Sequence, residues 1–174
     1  TGSLTSGTIA KLVAAADEND GIQIQTTSEE FEFTSNQSLI YHGIQLAAND
    51  ADQVDWLAGL CITDTTLLGG MTDGVYMESL DGATSVSSVT EKDSSETQTD
   101  SLATTADDTF MFLEFYFDGT TVYFFTDGTL SSTLHTTNIP DDEVLAVSLA
   151  FLTGEATANT LSIRRWNTFM IGRT

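Results

Sequence analysis

The chain has 174 residues, room for one domain or at most two small ones. It carries 26 Asp+Glu against 5 Lys+Arg, a formal net charge of -21. That excludes a general nucleic-acid binder, because neutralising phosphates needs Lys and Arg, and it disfavours docking on an anionic membrane. With 40% hydrophobic residues a core can form, so a fully disordered acidic chain is excluded too.

Cys61 is the sole cysteine, so an internal disulfide and a Cys-rich zinc site are excluded. No run of 18 apolar residues occurs, so no membrane-spanning helix is expected. Residues 1–10 lack a charged n-region followed by an apolar h-region, so no signal peptide is expected; a start at Thr1 rather than Met points to a processed or trimmed beginning. Ser and Thr total 45 of 174 residues. Thr favours strands and Ser favours turns, while the helix formers Lys and Arg are scarce. The composition predicts an all-β protein.

In chain order, residues 1–18 read as an N-terminal arm or first strand, and 19–174 as a single β-sandwich domain. Lys11 to Asp17 suits a helical turn or a strand equally. Ile22–Gln25 and Glu30–Phe33 alternate apolar and polar residues, the period of half-buried strands. Leu39–Leu46 is a longer strand with Gly43 at an expected bulge. Val54–Thr63 is apolar almost throughout, as a central strand covered on both faces would be. Val75–Glu78 lies between the turn signals Asp73-Gly74 and Asp81-Gly82. Glu91–Asp108 is polar and acidic and reads as an exposed strand pair or loop. Phe110–Phe117, Thr121–Thr126 and Leu130–Thr137 are separated by Asp118-Gly119 and Asp127-Gly128. Asp-Gly between apolar runs is the strongest short hairpin signal, so these three form an antiparallel meander. Val144–Leu152 and Leu161–Ile171 close the domain. Short strands with turns every 8–12 residues predict an antiparallel sandwich or barrel.

Candidate chemistry is sparse. His42 and His135 fall on different strands with no triad or metal spacing, and read as structural. Cys61 reads as a small core residue. Glu30 with Glu32, and Glu114 with Asp118, are carboxylate pairs of the kind glycoside hydrolysis uses, but the dense E-x-D-x-x-E spacing of one sandwich glycosidase group is absent. No catalytic set is expected, and the protein is read as not an enzyme. Asp17-Glu18-Asn19-Asp20-Gly21 and Asp141-Asp142-Glu143 concentrate oxygen ligands suited to Ca²⁺, but neither has the EF-hand spacing, and acidic turns account for them. Asn36-Gln37-Ser38 matches a glycosylation sequon and reads as coincidence. Trp56, Trp166, Tyr41, Tyr76, Tyr116 and Tyr123 are either core or a sugar-stacking platform, the core being the commoner use. Arg164, Arg165 and Arg173 lie within the last 11 residues and are the candidate partner-contact residues, the alternatives being a solvated final strand or contact through the start, Thr1 to Gly7.

Several segments are specific in combination: Trp56–Thr66, Thr72–Tyr76, Ser88–Lys92, Asp108–Asp118, Val122–Gly128, His135–Pro140 and Gly154–Ala156, with a final strand ending near Arg173. In this order they resemble tailed-bacteriophage virion structural proteins, marine phages especially, with a concanavalin A-like jelly roll. The resemblance covers roughly residues 30–173. It implies a capsid decoration (cement) protein on the outer surface of the virion, bound to the major capsid protein and assembled as a homo-oligomer, a trimer at symmetry axes. It brings no catalytic residues and no cofactor. Ile163-Arg164-Arg165-Trp166 stands where similar chains carry an aspartate-led segment. The alternative reading is a glycan- or receptor-binding lectin-like module of a phage head or tail fibre.

Overall fold

The computed structural model describes residues 3–5, 9–35 and 38–172. Fourteen strands occupy them: β1 (Ser3–Thr5), β2 (Ile9–Val13), β3 (Gly21–Gln25), β4 (Phe31–Glu32), β5 (Ser38–Ala48), β6 (Val54–Cys61), β7 (Gly74–Ser79), β8 (Ser85–Lys92), β9 (Ser95–Thr104), β10 (Met111–Phe117), β11 (Val122–Thr126), β12 (Thr129–His135), β13 (Val144–Thr153) and β14 (Thr160–Gly172). A four-residue helical turn, Leu67–Gly70, interrupts the connection from β6 to β7.

The strands form two antiparallel sheets. The first runs β1-β2-β14-β5-β10-β11-β12. The second runs β3-β13-β6-β7-β8-β9, with β4 pairing beside the start of β13. Non-consecutive neighbours in both sheets, such as β5 between β14 and β10, are the long-range pairings of a jelly-roll sandwich. The all-β class and jelly-roll architecture expected from the sequence are those observed.

The period-two patterns explain the layering. On β10, Met111, Leu113, Phe115 and Phe117 are buried between the sheets, while Phe112, Glu114 and Tyr116 face outward. On β5, Ile40, His42, Ile44 and Leu46 point inward. From the second sheet, Trp56, Ala58 and Leu60 of β6 and Leu145, Leu149 and Phe151 of β13 meet them. Phe33, Phe115, Phe117 and Phe124 form a tilted aromatic nest in this core, with ring centroids 5.0–6.4 Å apart.

The Asp-Gly hairpins occur as the sequence predicts. Asp127 and Gly128 both adopt positive φ (50° and 76°), the backbone a two-residue β-hairpin turn requires. Residues 11–13, open between helix and strand, lie in β2, which pairs with β14. The acidic 91–108 stretch supplies the end of β8 and all of β9, the sheet's exposed edge. One expectation is corrected. Gly43 sits in unbroken register opposite Glu114 and Asn167; the bulge lies instead on β14, between Ile163 and Arg165. Gly43 is needed for a different reason: a Cβ there would lie 2.5 Å from the Tyr41 hydroxyl, whose ring lies across it.

Candidate functional site

The outer face of the second sheet is not uniformly solvated. After β6 the chain folds back over it, and Leu67 and Met71 pack on Leu57, Cys61, Tyr76, Val89 and Ala150 as a second, smaller apolar cluster. This fold-back walls a cleft of about 500 Å³, within the range of ligand sites. Its floor comes from alternate positions on neighbouring strands: Asp55 of β6, Tyr76 and Glu78 of β7, Glu91 of β8, and Glu96 and Gln98 of β9. The register sets Tyr76 beside Val89, and Glu91 opposite Glu96, so the carboxylates converge. Asn19 and Leu152 close the side next to β3.

The electrostatics are unusual. Glu78 is half-buried, and desolvation, reinforced by the negative charges of Glu96, Glu91, Asp55 and Asp100, pushes its pKa up to about 7. Burial and Glu96 also raise the Glu91 carboxyl, partly offset by the hydrogen bond that the Tyr76 hydroxyl donates to Glu91 Oε2 at 3.2 Å. Burial raises Asp55 as well, although Asp55 accepts a hydrogen bond from the Asp81 amide at 2.8 Å. Burial pushes the Tyr76 phenol far above its ordinary range. Near neutrality Glu78 therefore keeps a proton far more readily than an ordinary carboxyl, and can donate as well as accept. Gln98 adds an amide, held by Asp100 Oδ1 at 2.7 Å and Ser87 Oγ at 3.2 Å. Perturbed carboxyls in a cleft mark a candidate site.

The residues singled out from the sequence lie elsewhere. Glu114 is on the outer face of the first sheet, accepting from the Tyr41 hydroxyl at 2.6 Å. Asp118 caps its own turn through the Thr120 and Thr121 amides, both at 2.9 Å. Glu30 and Glu32 are exposed near β4. Asp20 accepts from the Ala15 amide, and Asp141 and Asp142 pair with Lys92. Among the described residues, no group of three or more His, Cys, Asp or Glu is arranged to hold a metal ion. Thr1, Gly2, Ser6, Gly7, Asn36, Gln37 and Arg173 lie outside the described residues. Arg164 stacks over Phe110 (3.8 Å) and Arg165 over Phe112 (5.2 Å). Cys61 is buried in the small apolar cluster, where desolvation pushes its thiol up. His42 and His135 are buried in the sandwich. His135 meets the hydroxyls of Thr90 (3.1 Å), Thr99 (3.1 Å) and Ser88 (3.4 Å). Of the aromatic residues, Trp56 is core, Tyr76 is in the cleft, and Tyr41, Tyr116 and Tyr123 are on the outer face of the first sheet. The cleft carboxylates Glu78 and Glu96 were not anticipated. The available signal was Tyr76-Met77-Glu78, which puts a carboxyl on the same face as a tyrosine in an otherwise buried strand.

No protein-family model matches the chain, and no curated protein matches it in sequence. Solved structures do match. A prokaryotic β-1,3-1,4-glucanase (lichenase) derived from a mouse hindgut metagenome superposes with TM-score 0.67 at 16% identity, covering 96% of this chain and 81% of that one. A Bacillus licheniformis β-glucanase gives 0.67 and 16%, covering 96% and 80%. The binding domain of botulinum neurotoxin DC in complex with SialylT gives 0.63 and 8%; 97% of this chain matches 40% of that one. At these identities the likeness shows the fold, a concanavalin A-like jelly roll. The expectation that the protein is not an enzyme is overturned, because the fold is shared with glycoside hydrolases. The jelly roll agrees with the resemblance drawn from the sequence, but a phage source does not appear among these neighbours.

Proposed function

We propose that this chain is a glycan-binding module whose ligand lies in the cleft on the outer face of the second sheet. The observation that carries the reading is the open cleft whose floor brings together Glu78, Gln98, Asn19 and the hydrogen-bonded Glu91–Tyr76 pair, with burial and neighbouring carboxylates raising the Glu78 carboxyl. Sugars are read by such convergent donors and acceptors. The fold is shared with glucanases and with a toxin binding domain, which adds support. The concentration of carboxylates favours an uncharged glycan over a uronate, since like charge would repel the latter.

The virion reading keeps only its jelly roll. Nothing in the cleft addresses a capsid partner, and Arg164 and Arg165 lie over aromatic rings of the other sheet.

The test is calorimetric titration of neutral and uronic oligosaccharides at pH 6 and pH 8, with reducing-end release followed in parallel. Neutral oligosaccharides should bind more tightly at pH 6, where Glu78 donates. Glu78→Gln should bind at both pH values equally, because the amide keeps a donor at either pH. Glu78→Lys should abolish binding. Failure of every neutral oligosaccharide to bind, or an unchanged affinity in Glu78→Lys, overturns the reading.

A further inference from the structure

The outer face of the first sheet is a second, unlike surface. Across five consecutive strands the register sets Phe169, Tyr41, Tyr116, Tyr123 and Leu134 directly opposite one another in a single row. Phe169 stacks on Tyr41 at 5.0 Å, and Tyr116 on Tyr123 at 6.2 Å. The next row includes Phe125 and Leu130, and the row beyond Phe169 begins with Ile171 and Leu39. Phe169, Ile171, Leu130 and Leu134 are 51%, 56%, 48% and 43% exposed.

Strand spacing of about 4.8 Å and a two-residue repeat of about 6.8 Å give each position about 33 Å². With the row of Arg165, Gln45 and Phe112 added, the four rows make a patch of about 500 Å² in projection, the upper end of what monomers expose. Its charge is as telling. In a chain of net charge -21, the Phe169 row holds no charge and the next holds only Glu114; Arg165 lies in the row beyond, and Asp118 and Asp127 flank the patch at the hairpin turns. Aromatics and Arg present, carboxylates depleted, is the composition of an interface core.

We propose that this face pairs with the same face of a second copy. The occupant follows from the charge. Two copies repel through surfaces on which carboxylates accumulate, and the Phe169 row at the centre of this face carries none. A two-fold contact is self-complementary and lets Arg165 of each copy approach Glu114 of the other. The apolar row supplies the attraction and the remaining charge opposes it, so screening strengthens the dimer.

Sedimentation equilibrium from 1 to 500 µM, in 20 mM and 500 mM NaCl, tests this. The expected result is a dimer in the micromolar range, with Kd falling at least fivefold at high salt. Phe169→Ser, at an exposed position, should raise Kd more than tenfold, and Leu134→Ser should do the same from the opposite edge of the row. Leu80→Ser, exposed on another part of the molecule, should leave Kd unchanged. A single monomeric mass throughout at 500 mM NaCl overturns the proposal. So do a trimeric mass, a dimer that dissociates as salt is added, or a dimer indifferent to both row variants in protein whose circular dichroism is native. Capture of the monomer by an insoluble polysaccharide through Phe169 would likewise assign the face to a different occupant and overturn it.

Discussion

Acidification should destabilise this protein through its two buried histidines, whose pKa values desolvation lowers, and His42 gives the larger effect. His42 is fully buried on β5, stacked on Phe115 at 5.1 Å, with Nδ1 2.9 Å from the Thr168 hydroxyl. Its Nε2 has no partner among the described residues. A bare lone pair is the cheaper orphan, so Nδ1–H donates to Thr168 and the ring is neutral. Desolvation alone lowers its pKa to about 3. The folded value lies below the unfolded ~6.5, so the native state resists protonation while the unfolded chain accepts it. Stability is full above pH 6.5 and is lost as pH falls toward 3. Linkage gives about 2 kcal/mol lost at pH 5 and about 3 kcal/mol at pH 4, with a limit near 5 kcal/mol. The assay is urea unfolding at pH 7, 5 and 4, for the native chain and for His42→Leu. At pH 7 the variant should differ by no more than about 1.5 kcal/mol, since the volume is nearly kept and a single hydrogen bond is lost. Between pH 7 and 4 the native chain should lose about 3 kcal/mol more than the variant. Other titrating groups cancel in that difference when they lie apart from His42. Parallel pH profiles would show that His42 is not buried neutral, and would refute the reasoning.

Glu78 acts in the opposite sense: its folded value of about 7 exceeds the unfolded one, so its stabilisation is present below pH 4.5 and is lost as pH rises through 7. Glu78→Gln should therefore flatten the urea midpoint between pH 5 and 8. Gly59 of β6 lies tight against β7, where a Cβ would sit 2.3 Å from the Val75 carbonyl oxygen and 2.6 Å from Tyr76 Cα. Gly59→Ala should cost about 3 kcal/mol or more in urea unfolding, because backbone and not a mobile side chain must give way. Tyr41→Phe removes the 2.6 Å bond to Glu114 and should cost about 1 kcal/mol by the same assay. Lys92→Met breaks the pairs with Asp141 and Asp142 at an exposed site, and any loss in melting temperature should vanish in 500 mM NaCl.

The strand pattern was legible where local chemistry decides it. Alternation over 110–117 sorts inward from outward residues without reference to any partner, and Asp127-Gly128 carries its hairpin in its own backbone. Pairings such as β14 with β5, more than 110 residues apart, leave no local mark, and neither does the bulge between Ile163 and Arg165. The cleft was invisible for the same reason. Glu78, Glu91 and Glu96 are ordinary acids in a chain with 26, and only the β7-β8-β9 register brings them beneath the fold-back that carries Leu67. The aromatic residues divide as their spacing alone cannot show: Trp56 is core, while Tyr41, Tyr116 and Tyr123 line up across three strands on the opposite sheet from the cleft.

That opposition has a mechanical consequence. Each sheet turns one face to the core and one outward, so the cleft and the aromatic row are on opposite sides of the sandwich. Pairing two copies through the row leaves both clefts free and pointing away from each other. Four stacked sheets at about 10 Å then separate the two clefts by about 30 Å. Such a dimer does not gain affinity for a short oligosaccharide, which reaches one cleft. It gains avidity for a surface or polymer that can wrap or bridge, since the second contact becomes intramolecular. Phe169→Ser should therefore leave oligosaccharide affinity intact while weakening retention on a polymeric glycan in proportion to the loss of dimer. Equal retention of dimer and variant on the polymer would mean that the two faces act independently.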